Sequence, residues 1–175
     1  CLVGSEMCIR DRSIDMLLNM TVDDSIKFFR KYNQTKIVNK LLPLQSVGIG
    51  YVSLGQSSNT LSGGEAQRIK LASFIGKGDQ IDKTFFIFDE PTTGLHFHDV
   101  KKLLNTFDKL IKMGHSILVI EHNLDMVSYA DHIIDLGPEA GSKGGVVVAE
   151  GEYKEIFKNE KSITGKYLCN KFYIP

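Results

Sequence analysis

Long apolar runs are missing from this sequence: no stretch approaches the roughly 18 residues that suggest a membrane-crossing helix,. Nor does its amino-terminal stretch combine the basic segment, apolar core and small-residue cleavage site of a secretory signal,. Cysteine is scarce. Cys1, Cys8 and Cys169 are scattered, which excludes paired zinc spacing and a disulfide framework,. A reducing, cytoplasmic setting is the resulting expectation. Net charge is absent too, with 21 basic against 21 acidic residues, so no global field advertises nucleic acid or an anionic membrane,. Local binding surfaces remain open. No Gly-x-x-x-x-Gly-Lys-Ser/Thr loop occurs, so nothing supplies the usual phosphate cradle or its lysine,. What is present, 42% hydrophobic and 24% charged over 175 residues, is a soluble globular composition of one domain's length,.

The stretch around which the rest is organised is Thr84 to Gly94, TFFIFDEPTTG. Phe85, Phe86, Ile87 and Phe88 form an apolar run too short for a typical helix and predict a buried strand,. It ends in Asp89 and Glu90, followed by Pro91, which cannot continue a central strand,. Adjacent carboxylates are costly to desolvate unless a cation or substrate offsets them. The carboxyl end of a strand is also where open parallel sheets hold ligands. By itself the stretch fits a solvated acidic turn equally well.

Upstream, LSGGEAQR at Leu61 to Arg68 places Ser62 and Glu65 in capping-box spacing, so a helix should start at Gly63 or Gly64,. Ala66, Ile69, Ala72 and Ile75 predict its buried face. Two glycines at a helix start let a phosphate or another backbone approach the exposed N–H groups, and the helix dipole favours an anion there. Alone, this stretch reads as a well-capped helix. Before it, Thr21 and Asp24 suggest another cap, while Ile26 and Phe29, then Ile37, Leu41 and Leu44, predict two amphipathic helices joined near Asn33,. The lysines and arginines on them read as a solvated face. Residues 1–12 share neither period with the rest of the chain and resemble translated adapter sequence, so a non-native or disordered leader is expected.

Beyond the acidic turn, Val100, Leu103, Leu104, Phe107, Leu110 and Ile111 fit one helical face, with Gly114 as its stop,. Ser116 to Ile120 predicts a second buried strand, ending at Glu121 and His122. Strand, helix and strand in this order imply a parallel crossover. A short helix around Leu124, Val127 and Ala130, strands over 132–136 and 144–150 and a last helix over 152–158 complete the expectation. His96 and His98 are two apart, a spacing that does not share a helical face, and the 141–145 loop reads as a connection.

Together, LSGGEAQR and FFIFDEPTTGLH resemble the signature, Walker B and D-loop series of ATP-binding-cassette ATPases. The wording Glu65-Ala66-Gln67-Arg68, Pro91-Thr92-Thr93-Gly94-Leu95-His96 and VIEHNLD is most similar to the excinuclease A-subunit branch of that family, at the end of its second cassette. The resemblance runs from Ser13 to about Phe172. It implies an α/β fold: part of a P-loop NTPase-like cassette, its mostly parallel sheet flanked by helices, with a small amino-terminal helical subdomain. Residues 13–60 would belong to the signature subdomain and 61–175 to the cassette's carboxyl-terminal part.

The resemblance also assigns roles. Leu61, Ser62, Gly63, Gly64 and Glu65 would cap a nucleotide held by the other cassette. Asp89 would help hold Mg²⁺ through water, Glu90 would orient or deprotonate the attacking water, and His122 would contact the γ-phosphate. Thr93, Gly94, Leu95 and His96 would form the D-loop. ATP and Mg²⁺ are the cofactors implied, with no zinc ligands here and zinc only upstream. The implied partners are the other cassette, a second full-length copy (a homodimer), the helicase partner of the excinuclease and damaged double-stranded DNA, with no membrane. The whole protein would be the damage-recognition ATPase of nucleotide excision repair; this stretch alone, lacking a phosphate loop, would be inactive. A transporter's nucleotide-binding subunit and a non-catalytic cassette remnant are the alternatives.

Overall fold

The computed structural model describes residues 13–76, 82–137 and 144–172. The leader at 1–12 and residues 141–143 of the connecting loop lie outside them. The chain divides into two compact units, Cys1–Ile120 and Glu121–Pro175. The boundary expected at residues 60 and 61 falls inside the first unit, where helices on either side of it pack together.

The first unit opens with three helices, α1 (Ile14–Leu18), α2 (Val22–Lys31) and α3 (Thr35–Ser46). Thr21 caps α2 by accepting from the Asp24 amide, but without the reciprocal half of a capping box. Asn33 turns the chain between α2 and α3 at φ +56°, a left-handed conformation that asparagine tolerates,. Leu17, Val22, Ile26, Phe29, Val38 and Leu41 close one core among these helices, whereas Ile37 stays exposed. The α1 helix carries too few residues to show a period.

Residues 50–53 then run back along the first turn of α2. The Val22 amide donates to the Val52 carbonyl at 2.9 Å and the Asp23 amide to Gly50 at 2.9 Å. A β-carbon on Gly50 would meet the Asp23 carboxylate and oblige that side chain to shift.

Helix α4 (Gly63–Ile75) leads to β1 (Phe85–Asp89), α5 (Phe97–Lys112) and β2 (Ser116–Ile120). The strands pair in parallel, Phe85 opposite Ser116 through Asp89 opposite Ile120. Val100, Leu103, Phe107 and Leu110 of α5 are buried, and the Phe107 ring lies 5.0 Å from that of Phe88. Phe74, Phe86 and His115 make an edge-to-face cluster behind the strands, and the Thr84 amide donates to His115 Nδ1 at 3.2 Å,. Among the described residues only this face is packed. Phe85, Ile87, Leu118 and Ile120 on the other face are exposed, which corrects the expectation of two buried strands.

In the second unit, α6 (Leu124–Ser128), β3 (Ile133–Gly137), β4 (Val146–Gly151), α7 (Tyr153–Lys158) and α8 (Ile163–Phe172) surround a core of Ile133, Ala149, Ile156 and Leu168. β3 and β4 form their own antiparallel pair. The helix over 153–158 is followed by another, α8, which is anchored as Ser162 and Thr164 donate to the two Asp135 carboxylate oxygens at 2.6 and 2.7 Å.

Candidate functional site

Two turns of the first unit carry the candidate residues. At the first, Ser62 Oγ accepts from the Glu65 amide at 3.2 Å while Glu65 Oε2 accepts from the Ser62 amide at 2.7 Å, a complete capping box,. Gly63 faces open space: a β-carbon there would meet nothing within 4 Å. Gly64 is buried, and a β-carbon on it would press on Arg68 Nη1 at 3.1 Å and the Thr93 carbonyl oxygen at 3.3 Å. The glycine pair is therefore divided in purpose. One leaves the helix start open, and the other lets the second turn come close.

That second turn begins where β1 ends. The Glu90 amide extends the ladder by donating to Ile120 O at 2.9 Å, and Glu90 then turns left-handed at φ +47°. That conformation is costly for a residue with a β-carbon, and such outliers gather at functional sites. Pro91 is buried, while Asp89, Glu90, Thr93, Gly94 and His96 are exposed and Leu95 is half-buried. Thr93 Oγ1 donates to Glu90 Oε2 at 3.4 Å. Two exposed carboxylates thus stand together at the carboxyl end of a parallel strand.

Helix α4 braces this turn directly. The Gln67 side-chain amide clasps Asp89, with Nε2 donating to its carbonyl at 3.0 Å and Oε1 accepting from its N–H at 3.3 Å. Arg68, fully buried, donates from Nη1 to the Pro91 carbonyl at 2.6 Å and to that of Thr93 at 3.3 Å. These bonds rotate the helix from its expected face: Gly64, Arg68, Leu71 and Ala72 are buried, and Ala66, Ile69 and Ile75 only partly. Gln67 and Arg68 lie inside the motif but carry no period or charge pattern that marks them. Tyr51 was also invisible, because only the folded turn at 50–53 brings its hydroxyl to Glu65 Oε1, at 2.6 Å. That bond and the Ser62 amide hold the Glu65 carboxyl below its usual range, while burial and the same partner push Tyr51 up.

His122 belongs to the second unit, where it is exposed and its amide donates to Glu121 Oε2 at 3.0 Å. The rings of His96 and His98 stack at 5.7 Å, against the expectation from helical spacing. His96 is the extended N-cap of α5, so the helical period does not govern it. Among the described residues no group of three or more His, Cys, Asp or Glu side chains could hold a metal ion. Asp89 nonetheless suits Mg²⁺, a hard ion that takes one or two carboxylates and otherwise keeps waters and phosphate oxygens.

This capped, glycine-opened helix start, braced against a strand-end carboxylate pair, sits in a fold shared with ATP-binding-cassette proteins. At 20% identity, a bacterial Atm1-family exporter solved with ATP bound shares that fold, with a TM-score of 0.53 over 90% of this chain and 27% of its own. No family model matches the chain. UvrABC system protein A of Clostridium acetobutylicum is 53% identical over 163 residues, 93% of this chain and 17% of that protein. Its counterpart from Bacillus subtilis is 50% identical over 163 residues, again 93% and 17%. The solved UvrA2 of Deinococcus radiodurans, 38% identical, superposes with a TM-score of 0.77 over 93% of this chain and 20% of its own. Over the stretch it shares with these proteins, the chain is similar to UvrA. It spans only about a sixth of the curated relatives' length.

Proposed function

We infer that this chain is the carboxyl-terminal part of the second nucleotide-binding cassette of a UvrA-type protein, and that it contributes to two different ATP sites. The observation that carries the reading is the brace of Gln67 and Arg68, which presents the 61–65 turn and the 89–96 turn together on one body. In cassette ATPases the first turn closes over nucleotide held by the opposite cassette, and the second serves the cassette's own. Leu61, Ser62, Gly63, Gly64 and Glu65 would offer open N–H groups and a helix dipole to a phosphate. Asp89 would hold Mg²⁺ through water, and the bound ion would neutralise charge on the phosphates. Glu90 would orient water and accept its proton, and His122 would donate toward the γ-phosphate. Thr93, Gly94, Leu95 and His96 would meet the facing cassette.

The complete protein would couple this ATPase to recognition of damaged DNA and delivery of the helicase partner. Recognition without a base code should rest on phosphate contacts and duplex deformability. A transporter reading loses ground because Thr93 to His96 replaces the Ser-Ala-Leu-Asp usual there.

The test compares Mg-dependent ATP hydrolysis by the 175-residue chain and by the complete protein, with and without ultraviolet-damaged duplex. The expected result is no turnover by the chain and DNA-responsive turnover by the complete protein. Turnover by the chain that is lost in Glu90→Gln would overturn the two-site reading.

A further inference from the structure

The helix start at 61–65 carries an electrostatic conflict that its own motif does not resolve. The first N–H groups of α4 point out of the helix at the positive end of its dipole, and that end attracts an anion. Glu65 sets a carboxylate in the same turn, where it competes with a phosphate for those N–H groups and repels it,. Both carboxylate oxygens are occupied elsewhere. Oε2 accepts from the Ser62 amide at 2.7 Å and Oε1 from the Tyr51 hydroxyl at 2.6 Å. The cap uses the Ser62 and Glu65 amides, and the N–H groups of Gly63 and Gly64 take no part in it.

Tyr51 reaches this turn from a fixed point outside α4 and outside both motifs. The residues on either side of it are tied to the start of α2, with the Val22 amide donating to Val52 O and the Asp23 amide to Gly50 O, both at 2.9 Å. A short hydroxyl-to-carboxylate bond belongs to the stronger, charge-assisted class. Consistent with that, Tyr51 is the largest cause of the lowered Glu65 pKa.

We propose that Tyr51 is a positioning residue for the 61–65 turn: it holds the Glu65 carboxylate back against the Ser62 amide and so leaves the Gly63 and Gly64 N–H groups to a phosphate. This rests on the reading that the turn closes over nucleotide. Tyr51 itself touches no nucleotide; it acts through Glu65. A carboxylate released from Tyr51 would turn onto the same N–H groups or toward the incoming phosphate, and either movement weakens binding.

The test uses the complete protein carrying Tyr51→Phe, which removes only a hydroxyl from a half-exposed ring. Without nucleotide, backbone amide exchange followed by mass spectrometry should speed up about fivefold over residues 62–65, the change that corresponds to one hydrogen bond of about 1 kcal/mol. Exchange in α2 should stay the same. Unchanged exchange at 62–65, or equal acceleration in α2, overturns the proposal.

In Mg-dependent hydrolysis, Tyr51→Phe should raise KM for ATP about fivefold with kcat within about twofold. The Glu65→Gln background separates a restrained charge from a mere prop. With no carboxylate to restrain, adding Tyr51→Phe there should change KM by less than about twofold. The same rise in that background would make Tyr51 a prop and overturn the proposal, as would an unchanged KM or a loss confined to kcat in the single variant. The exchange measurement contains no nucleotide, so its failure is distinct from failure of the functional reading, which Glu90→Gln tests.

Discussion

Glu90 and Glu65 show how single residues carry the account. The left-handed φ of +47° at Glu90 costs a side chain with a β-carbon roughly 1–2 kcal/mol, which glycine avoids at an entropic cost of roughly 0.5–1 kcal/mol,. Glu90→Gly in the complete protein is therefore expected to keep or raise thermal stability while abolishing hydrolysis at its site; calorimetry showing a clear loss of stability would contradict the strain argument. Glu65 contributes through its pH response. Its folded carboxyl is held below its ordinary value of 4.5, chiefly by Tyr51, so the stabilisation is present above that value and is lost as pH falls through the lowered one,. Tyr51→Phe should flatten this acid dependence, measurable as a smaller difference in denaturation midpoint between neutral and acidic buffer. An unchanged difference would show that Tyr51 does not hold the carboxylate.

At the scale of elements, the parts read from local chemistry were legible and those decided by packing were not. The Ser62 and Glu65 box fixed the start of α4, and the period of Val100, Leu103, Phe107 and Leu110 marked the inner face of α5. Leu104 and Ile111 fit the same period but are only partly buried and exposed, because they sit at its rim. The inward face of α4 was misread because an arginine, counted as polar, is drawn inside by two backbone carbonyls. The antiparallel pairing of β3 with β4 depends on contacts that no short window contains. Leu103, with no exposed surface, lies at the centre of α5's buried face. Leu103→Ala should cost about 2–5 kcal/mol in chemical denaturation, whereas Leu104→Ala should cost clearly less. Equal costs would place the helix in a different rotation.

For the whole molecule, the open question posed by the surface is what covers its apolar strands. Parallel sheets are normally buried on both faces, yet Phe85, Ile87, Leu118 and Ile120 are exposed in the first unit,; in the second, Ile134, Leu136, Val146 and Val147 of the antiparallel pair are exposed as well. The purified 175-residue chain should associate above micromolar concentration, and Ile87→Lys with Leu118→Lys should reduce that association in light scattering without loss of helical circular dichroism,. Unchanged association would locate the adhesive surface elsewhere. The resemblance to a cassette was legible because it is concentrated in two short motifs, while the link between them was hidden in Gln67 and Arg68, which only folding brings to their partners. The most direct measurement is the fate of ATP in the complete protein carrying Glu90→Gln. The account predicts that Mg-dependent hydrolysis falls about 100-fold or more at the site served by Glu90, with intact ATP retained there. Hydrolysis at the wild-type rate, with no ATP retained, would contradict it.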